Sequence, residues 1–157
     1  FVVLFFLIIF FESVHFYFVH RLLHFKLFYK FFHHIHHRNI SPGPWSGISM
    51  HPIEHLFYFS SVLIHFIIPS HPIHIIFHFI ILTIGAVIGH CGFDGFLIKK
   101  KNKISLGHFH HQLHHRYFEC NYGTIETPLD VCFKSFHDGT SDVTKSMRNK
   151  RRKIHNI

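Results

Sequence analysis

Residues 1–11 are unbroken apolar sequence, and only Glu12, Ser13 and His15 interrupt the run before His20. That pattern predicts a membrane-embedded helix over residues 1–19. It lacks the basic start and small-residue cleavage site of a secretory leader. Between residues 55 and 93 there is no Asp, Glu, Lys or Arg, and Pro69-Ser70-His71-Pro72 divides this second apolar stretch. As helices, residues 56–68 would reach about 20 Å and residues 73–92 about 30 Å. Residues 53–92 therefore predict a tilted or re-entrant membrane hairpin, which returns the chain to the side it left.

Polar sequence flanks these spans. Residues 21–38 carry cations and histidines, and Ser41-Pro42-Gly43-Pro44-Trp45-Ser46-Gly47 then breaks any helix. This stretch reads as a turn and no more, with Trp45 suited to the headgroup interface. Beyond residue 93 the chain is soluble in character: residues 106–117 can form a helix, and Asn121-Tyr122-Gly123 and Asp138-Gly139-Thr140 signal turns. No strand is expected. The fold class is all-α: membrane-embedded helices with a helical hairpin and a cytosolic helical cap. The 157 residues form one domain, divided into a helix at 1–19, the hairpin at 53–92, the cap at 93–140 and a basic tail at 141–157. Because it opens at Phe1 inside an apolar run, the chain is expected to lack an N-terminal part.

Composition agrees with lipid as the solvent. Aromatic residues are 18%, 22 of the residues are Phe, and charged residues are 15%, against about a quarter in soluble domains. The formal charge is +8. It is concentrated in Lys99, Lys100, Lys101 and Lys103 and in a C-terminal group from Lys145 to Lys153. The aromatic residues lie in the apolar runs, away from these cations, which argues against nucleic acid and for anionic headgroups. The positive-inside tendency assigns the basic side, and the histidines with it, to the cytosol of a multi-pass protein. Cys91, Cys120 and Cys132 form no Cys-x-x-Cys pair and are expected to be buried, reduced thiols.

The candidate chemistry is in the histidines. His-x-x-His-His occurs twice, as His33/His36/His37 and His111/His114/His115, and His20–His24 stands ahead of both. At this histidine density one copy arises by chance roughly 0.4 times. Residues three and four apart share a helix face, so each cluster aims imidazoles in one direction. Neutral imidazole suits zinc, copper, iron and nickel. Eight such rings are enough for two metal sites.

Box order, hairpin and flanking residues together resemble the membrane fatty acid hydroxylase/sterol desaturase superfamily, over about residues 12–140. The family's His-x-x-x-His, His-x-x-His-His and His-x-x-His-His followed by Asn-Tyr-Gly read here as His20–His24, His33/His36/His37, and His111/His114/His115 with Asn121-Tyr122-Gly123. His51-Pro52-Ile53-Glu54 and His90-Cys91-Gly92-Phe93-Asp94 resemble its elements before and after the hairpin. Two departures are Glu12-Ser13 where Asp is usual, and Phe133-Lys134-Ser135 where Phe-Gly-Thr is common.

The resemblance implies His20, His24, His33, His36, His37, His111, His114 and His115 as metal ligands and His90 as a ninth. Asp94, one helical turn beyond His90, is expected either to orient a ligating ring or ligate directly, or to be a capping or turn residue before Gly95. His51 and Glu54 are expected to be a structural pair at the membrane edge. His34, His108 and His110 should face away, and His65, His71, His74 and His78 belong to the hairpin. The resemblance also implies two iron ions, O2, and electrons from NAD(P)H through a reductase and a cytochrome b-type carrier. The lysines near residue 100 would be that carrier's docking patch. The substrate would be a sterol or fatty acyl lipid, hydroxylated or desaturated, at the endoplasmic reticulum membrane if the source is eukaryotic. The competing readings are a membrane metal transporter, which would need His65, His74 and His78, and an inactive fragment of the family.

Overall fold

The computed structural model describes residues 1–98 and 102–155, so Lys99, Lys100 and Lys101 lie outside the described residues. The fold is a mostly helical membrane fold. α1 (Val2–Leu23) and α4 (Pro72–Gly89) are long and apolar enough to cross a membrane, and each keeps most of its surface outside the protein core. Their apolar side chains point all round, the mark of a helix solvated by lipid rather than by water on one side.

The first hairpin arm begins as α3 (Pro52–Phe59) and continues as a 3-10 helix, Ser60–Phe66. At 1.5 and 2.0 Å per residue these pieces give about 12 and about 14 Å, so tightening the second half lengthens an arm that a pure α-helix would leave shorter. Pro72 opens α4 at its first position, where its missing N–H costs nothing, and His71 caps the helix by accepting from Ile73 N at 3.3 Å. Tyr58 donates to the Leu82 carbonyl at 2.7 Å and ties the arms together.

Three local expectations are corrected. The Ser41–Gly47 stretch is more than a turn: a 3-10 helix, Pro44–Ile48, packs on α4, and a Cβ on Gly47 would stand 2.3 Å from the Ala86 carbonyl oxygen. Only glycine permits that approach. Second, there are strands: β1 (Gly95–Ile98) and β2 (Asn102–Ser105) pair antiparallel. The run of lysines concealed a short hairpin with almost no burial to announce it. Third, only Cys120 of the three cysteines is buried, and Cys132 is exposed.

Between α1 and the strands, the short α2 (Lys26–Phe28) runs into a π-helical turn, Tyr29–His33, and a 3-10 turn follows at His36–Arg38. After β2 come α5 (His108–Tyr117), α6 (Leu129–Cys132) and α7 (Ser141–His155). Gly107 begins α5 in the left-handed region at φ 76°. Lys134 stands at φ 57°, at the place where the resembling family commonly has glycine, a conformation that costs a lysine on the order of 1 kcal/mol.

Candidate metal centre

Nine histidines from five segments meet in two adjacent groups. His20, His24, His33, His37 and His114 form one, and His36, His90, His111 and His115 the other, with the ring nitrogens of each group within 4.8 Å of one another. These are the nine ring positions named from the sequence. The boxes are shared between groups, however. His33 and His37 serve one group while His36 between them serves the other, and His111 and His115 are likewise separated from His114. Adjacent helical residues diverge by about 100° while i and i+4 align, so a His-His doublet cannot aim both rings at one point.

The contacts within each group form closed figures. Nε2 atoms of His24, His114, His37 and His33 follow one another at 3.1, 3.0, 3.0 and 3.1 Å and return to the start. Those of His90, His115 and His111 make a triangle of 3.1, 3.1 and 3.0 Å. With metal–nitrogen bonds of about 2.1 Å, two ligands at a right angle stand about 3.0 Å apart. The spacing matches the edge of a coordination shell.

Proton placement argues the same way. His20 Nδ1 lies 2.6 Å from the Tyr122 carbonyl, His114 Nδ1 2.6 Å from that of Cys120, His90 Nδ1 2.7 Å from that of Ala86, and His115 Nδ1 3.0 Å from that of Asn39. A carbonyl only accepts, so each Nδ1 carries the proton and each neutral ring presents a bare lone pair at Nε2. His90 and His115 thus face each other lone pair to lone pair. Two such pairs repel unless a cation lies between them. The donor set fits a divalent transition metal.

Electrostatics keeps these rings neutral. Burial, then the neighbouring histidines, pushes His24, His36, His37, His111 and His114 well below the ordinary 6.5. Burial first, then nearby histidines, holds His115 at about 3, and burial alone holds His33 at about 3. Neutral imidazole is the ligating form.

Behind the rings stands a carboxyl group whose contact with them the sequence reading missed. Glu54, buried on α3, lies with Oε1 2.7 Å from His33 Nδ1 and also accepts a hydrogen bond from the His51 backbone. His51 caps α3, accepting from Ile53 N at 3.1 Å. Asp94, expected to orient a ring, instead pairs its carboxylate with Lys103 at the neck of the strand hairpin. A turn and bends at residues 90–92 follow the end of α4, and the partner ammonium comes from β2, on the residue opposite Leu97.

A second buried carboxylate, Asp130, organises the turn that carries the Tyr122 carbonyl. Its two oxygens accept from Tyr122 N at 2.9 Å and Gly123 N at 2.8 Å, and Ser135 Oγ donates at 2.6 Å. Burial works upwards on this carboxyl, but bonds from His110, Ser135 and Gly123 hold it below its ordinary value. Asn121, at φ 51°, donates to the His110 and His137 carbonyls at 3.0 Å each. The Asn-Tyr-Gly signal is therefore the device that aims His20. A cavity of about 430 Å³ reaches the groups at His20, His36, His90 and His111. Its walls are apolar residues of α1 and α4, including Ile9, Phe16, Ile80 and Ile84, with Glu12, Ser13 and Tyr58 as polar points.

A family model described as fatty acid hydroxylase matches residues 5–135, which hold all nine histidines, Glu54 and Asp130. The chain belongs to the fatty acid hydroxylase family. Among curated members, it is 35% identical over 126 residues to a delta(7)-sterol 5(6)-desaturase of Gibberella zeae, covering 73% of this chain and 35% of that one. It is 31% identical over 139 residues to a C-4 methylsterol oxidase of Schizosaccharomyces pombe, covering 82% and 45%. To the human lathosterol oxidase it is 32% identical over 136 residues, covering 85% and 44%. The chain spans about a third to a half of the length of these relatives. No solved structure matches. These relatives are named as sterol desaturases and oxidases. The contact of Glu54 with His33 was the part missed, though the His-Pro-x-Glu element was in view. The carbonyls of Asn39, Ala86, Cys120 and Tyr122 leave no trace in a sequence.

Proposed function

We propose that the chain uses two iron ions and O2 to hydroxylate or desaturate a membrane lipid, a sterol in first place. The observation that carries this reading is the convergence of bare Nε2 lone pairs in two adjacent groups at the end of an apolar cavity. His20, His24, His33, His37 and His114 would hold one ion, and His36, His90, His111 and His115 the other. When bound, iron supplies the dioxygen chemistry that no side chain can perform on an unactivated C–H bond.

The chain's own residues supply the rest. Backbone carbonyls fix the Nδ1 protons of His20, His90, His114 and His115, so those rings need no reorganisation to ligate. The carboxyl group of Glu54 would do the same for His33. Ile9, Phe16, Ile80 and Ile84 keep water from the cavity and offer a lipid a surface like the bilayer it leaves. Sterols are preferred because the relatives are named for sterol oxidation and the cavity wall is rigid helix on both sides.

Electrons would come from NAD(P)H through a reductase and a cytochrome b-type carrier on the cytosolic side. Arg116 follows His115 in the chain, and the Arg116 and Arg148 guanidinium carbons lie 5.7 and 5.9 Å from the Tyr117 ring centre. That basic corner, next in the chain to His115, would offer an acidic carrier a docking place. The test is to purify the protein anaerobically, measure bound metal, and supply a delta(7)-sterol or methylsterol with reductant and O2. Two irons per chain and sterol-dependent oxygen uptake with a new oxidised sterol are expected. Bound zinc with no product from any lipid would overturn the proposal.

A further inference from the structure

The strand hairpin carries an apolar face that nothing in the described residues covers. Phe96 pairs with Ile104, Ile98 with Asn102, and Leu97 with Lys103. Cross-strand partners point the same way and neighbours along a strand point oppositely. Phe96, Ile98 and Ile104 therefore share one face, and they are 64%, 45% and 54% exposed. Lys103 shares the other face with Leu97 and is held by Asp94. In sequence, Lys99, Lys100 and Lys101 fall between the two strands.

Two features indicate what lies against this face. The first is continuity with the membrane surface. β1 starts six residues after the end of α4, whose Ile73, Ile76 and Phe79 are themselves exposed and read as lipid-facing. The hairpin thus leaves the chain at the end of a membrane span. The second is charge. An apolar face joined to a basic run is the combination that binds the boundary between anionic headgroups and acyl chains. An acidic protein would satisfy the lysines but leave Phe96, Ile98 and Ile104 in water.

We infer that strands β1 and β2 form a lipid anchor: the Phe96/Ile98/Ile104 face lies among the acyl chains of the leaflet on the histidine side. Ser105, Leu106 and Gly107, at the foot of β2, line the cavity. Seating the hairpin in the leaflet therefore holds one wall of the cavity against the bilayer, where a lipid enters. The inference needs neither bound metal nor turnover.

Trp45 is the single tryptophan in the chain, which gives a direct probe. Trp45→Phe is combined with Phe96→Trp, or separately with Ile104→Trp or Leu97→Trp, and each protein is placed in nanodiscs of phosphatidylcholine and phosphatidylserine. With brominated acyl chains, fluorescence from positions 96 and 104 should be quenched severalfold more than from position 97, and aqueous iodide should give the reverse order. Iodide quenching at 96 and 104 without bromine quenching would overturn the anchor. So would a spectral change at 96 only on adding a soluble acidic protein, and so would equal bromine quenching at 96 and 97. Because Phe96 and Ile104 are both exposed, misfolding of one variant leaves the other to report.

Discussion

The hairpin and the cluster use the same side chain in opposite ways. In the hairpin, Ser70 Oγ donates to the Ile68 carbonyl at 2.8 Å, so it accepts from His65 Nδ1, also at 2.8 Å. His65 Nε2 is then a lone pair that takes the Nδ1 proton of His78 at 3.1 Å, and His78 Nε2 takes the Ser61 hydroxyl proton at 3.1 Å. Each proton has one acceptor. In the cluster, backbone carbonyls pin the Nδ1 protons of His90 and His115, and their Nε2 atoms meet with no proton between. His74 and His78 even repeat the four-residue spacing of His20 and His24, yet His74 Nε2 turns to the Phe1 carbonyl at 3.2 Å. Spacing alone does not make a metal site; the direction in which protons are fixed does. The same contrast removes support from a transporter reading built on His65, His74 and His78.

The largest expected effect comes from removing a cluster ring. His114→Ala should abolish product formation and lower bound metal in elemental analysis, with membrane insertion unchanged. Retained metal and activity would erase the distinction between the two regions. Glu54→Gln keeps an acceptor for His33 but removes the carboxyl group. A loss of metal affinity of about 10-fold to 100-fold is expected in competition with a chelator.

Acid should act on the cluster more gently and with a defined sign. His36, His37, His111 and His114 are neutral in the fold below the ordinary 6.5, whereas the unfolded chain takes up those protons. Stability of the metal-free protein is therefore full above about pH 6.5 and falls as pH drops towards the folded values. The slope is about 1.4 kcal/mol per pH unit for each such ring. Melting curves in detergent between pH 7.5 and 5 would follow it, and a flat profile would contradict the neutral, buried rings. The smallest effect belongs to the hairpin: His78→Leu strands two partners and should cost about 1–3 kcal/mol, with bound metal unchanged in the same elemental assay.

Much of this was legible beforehand. Apolar runs marked α1 and α4, the Pro69–Pro72 break marked the hairpin, and box spacing with the family resemblance picked out the nine rings that the fold gathers. The rest depended on contacts between distant segments. Glu54 reaches His33 across 21 residues, and local sequence offered His51 as the nearer partner. Asp94 sits one turn from His90 only if the helix continues, and it ends at Gly89. The strands escaped notice because all but Gly95 of their residues are exposed, so no alternation of buried positions exists to be read. The Pro44–Ile48 packing hung on Gly47, whose missing side chain says nothing about which neighbour comes close.

The crossed allocation of His36 and His114 has a consequence for loading. Each doublet lends one ring to either group, so, with two ions bound as proposed, shifting one such segment to complete one coordination sphere would also move a ring of its neighbour. Outside these shared segments, His20 and His24 belong to one group alone and His90 to the other. The two sites should still fill and empty together, leaving half-loaded protein scarce at every intermediate dose of iron.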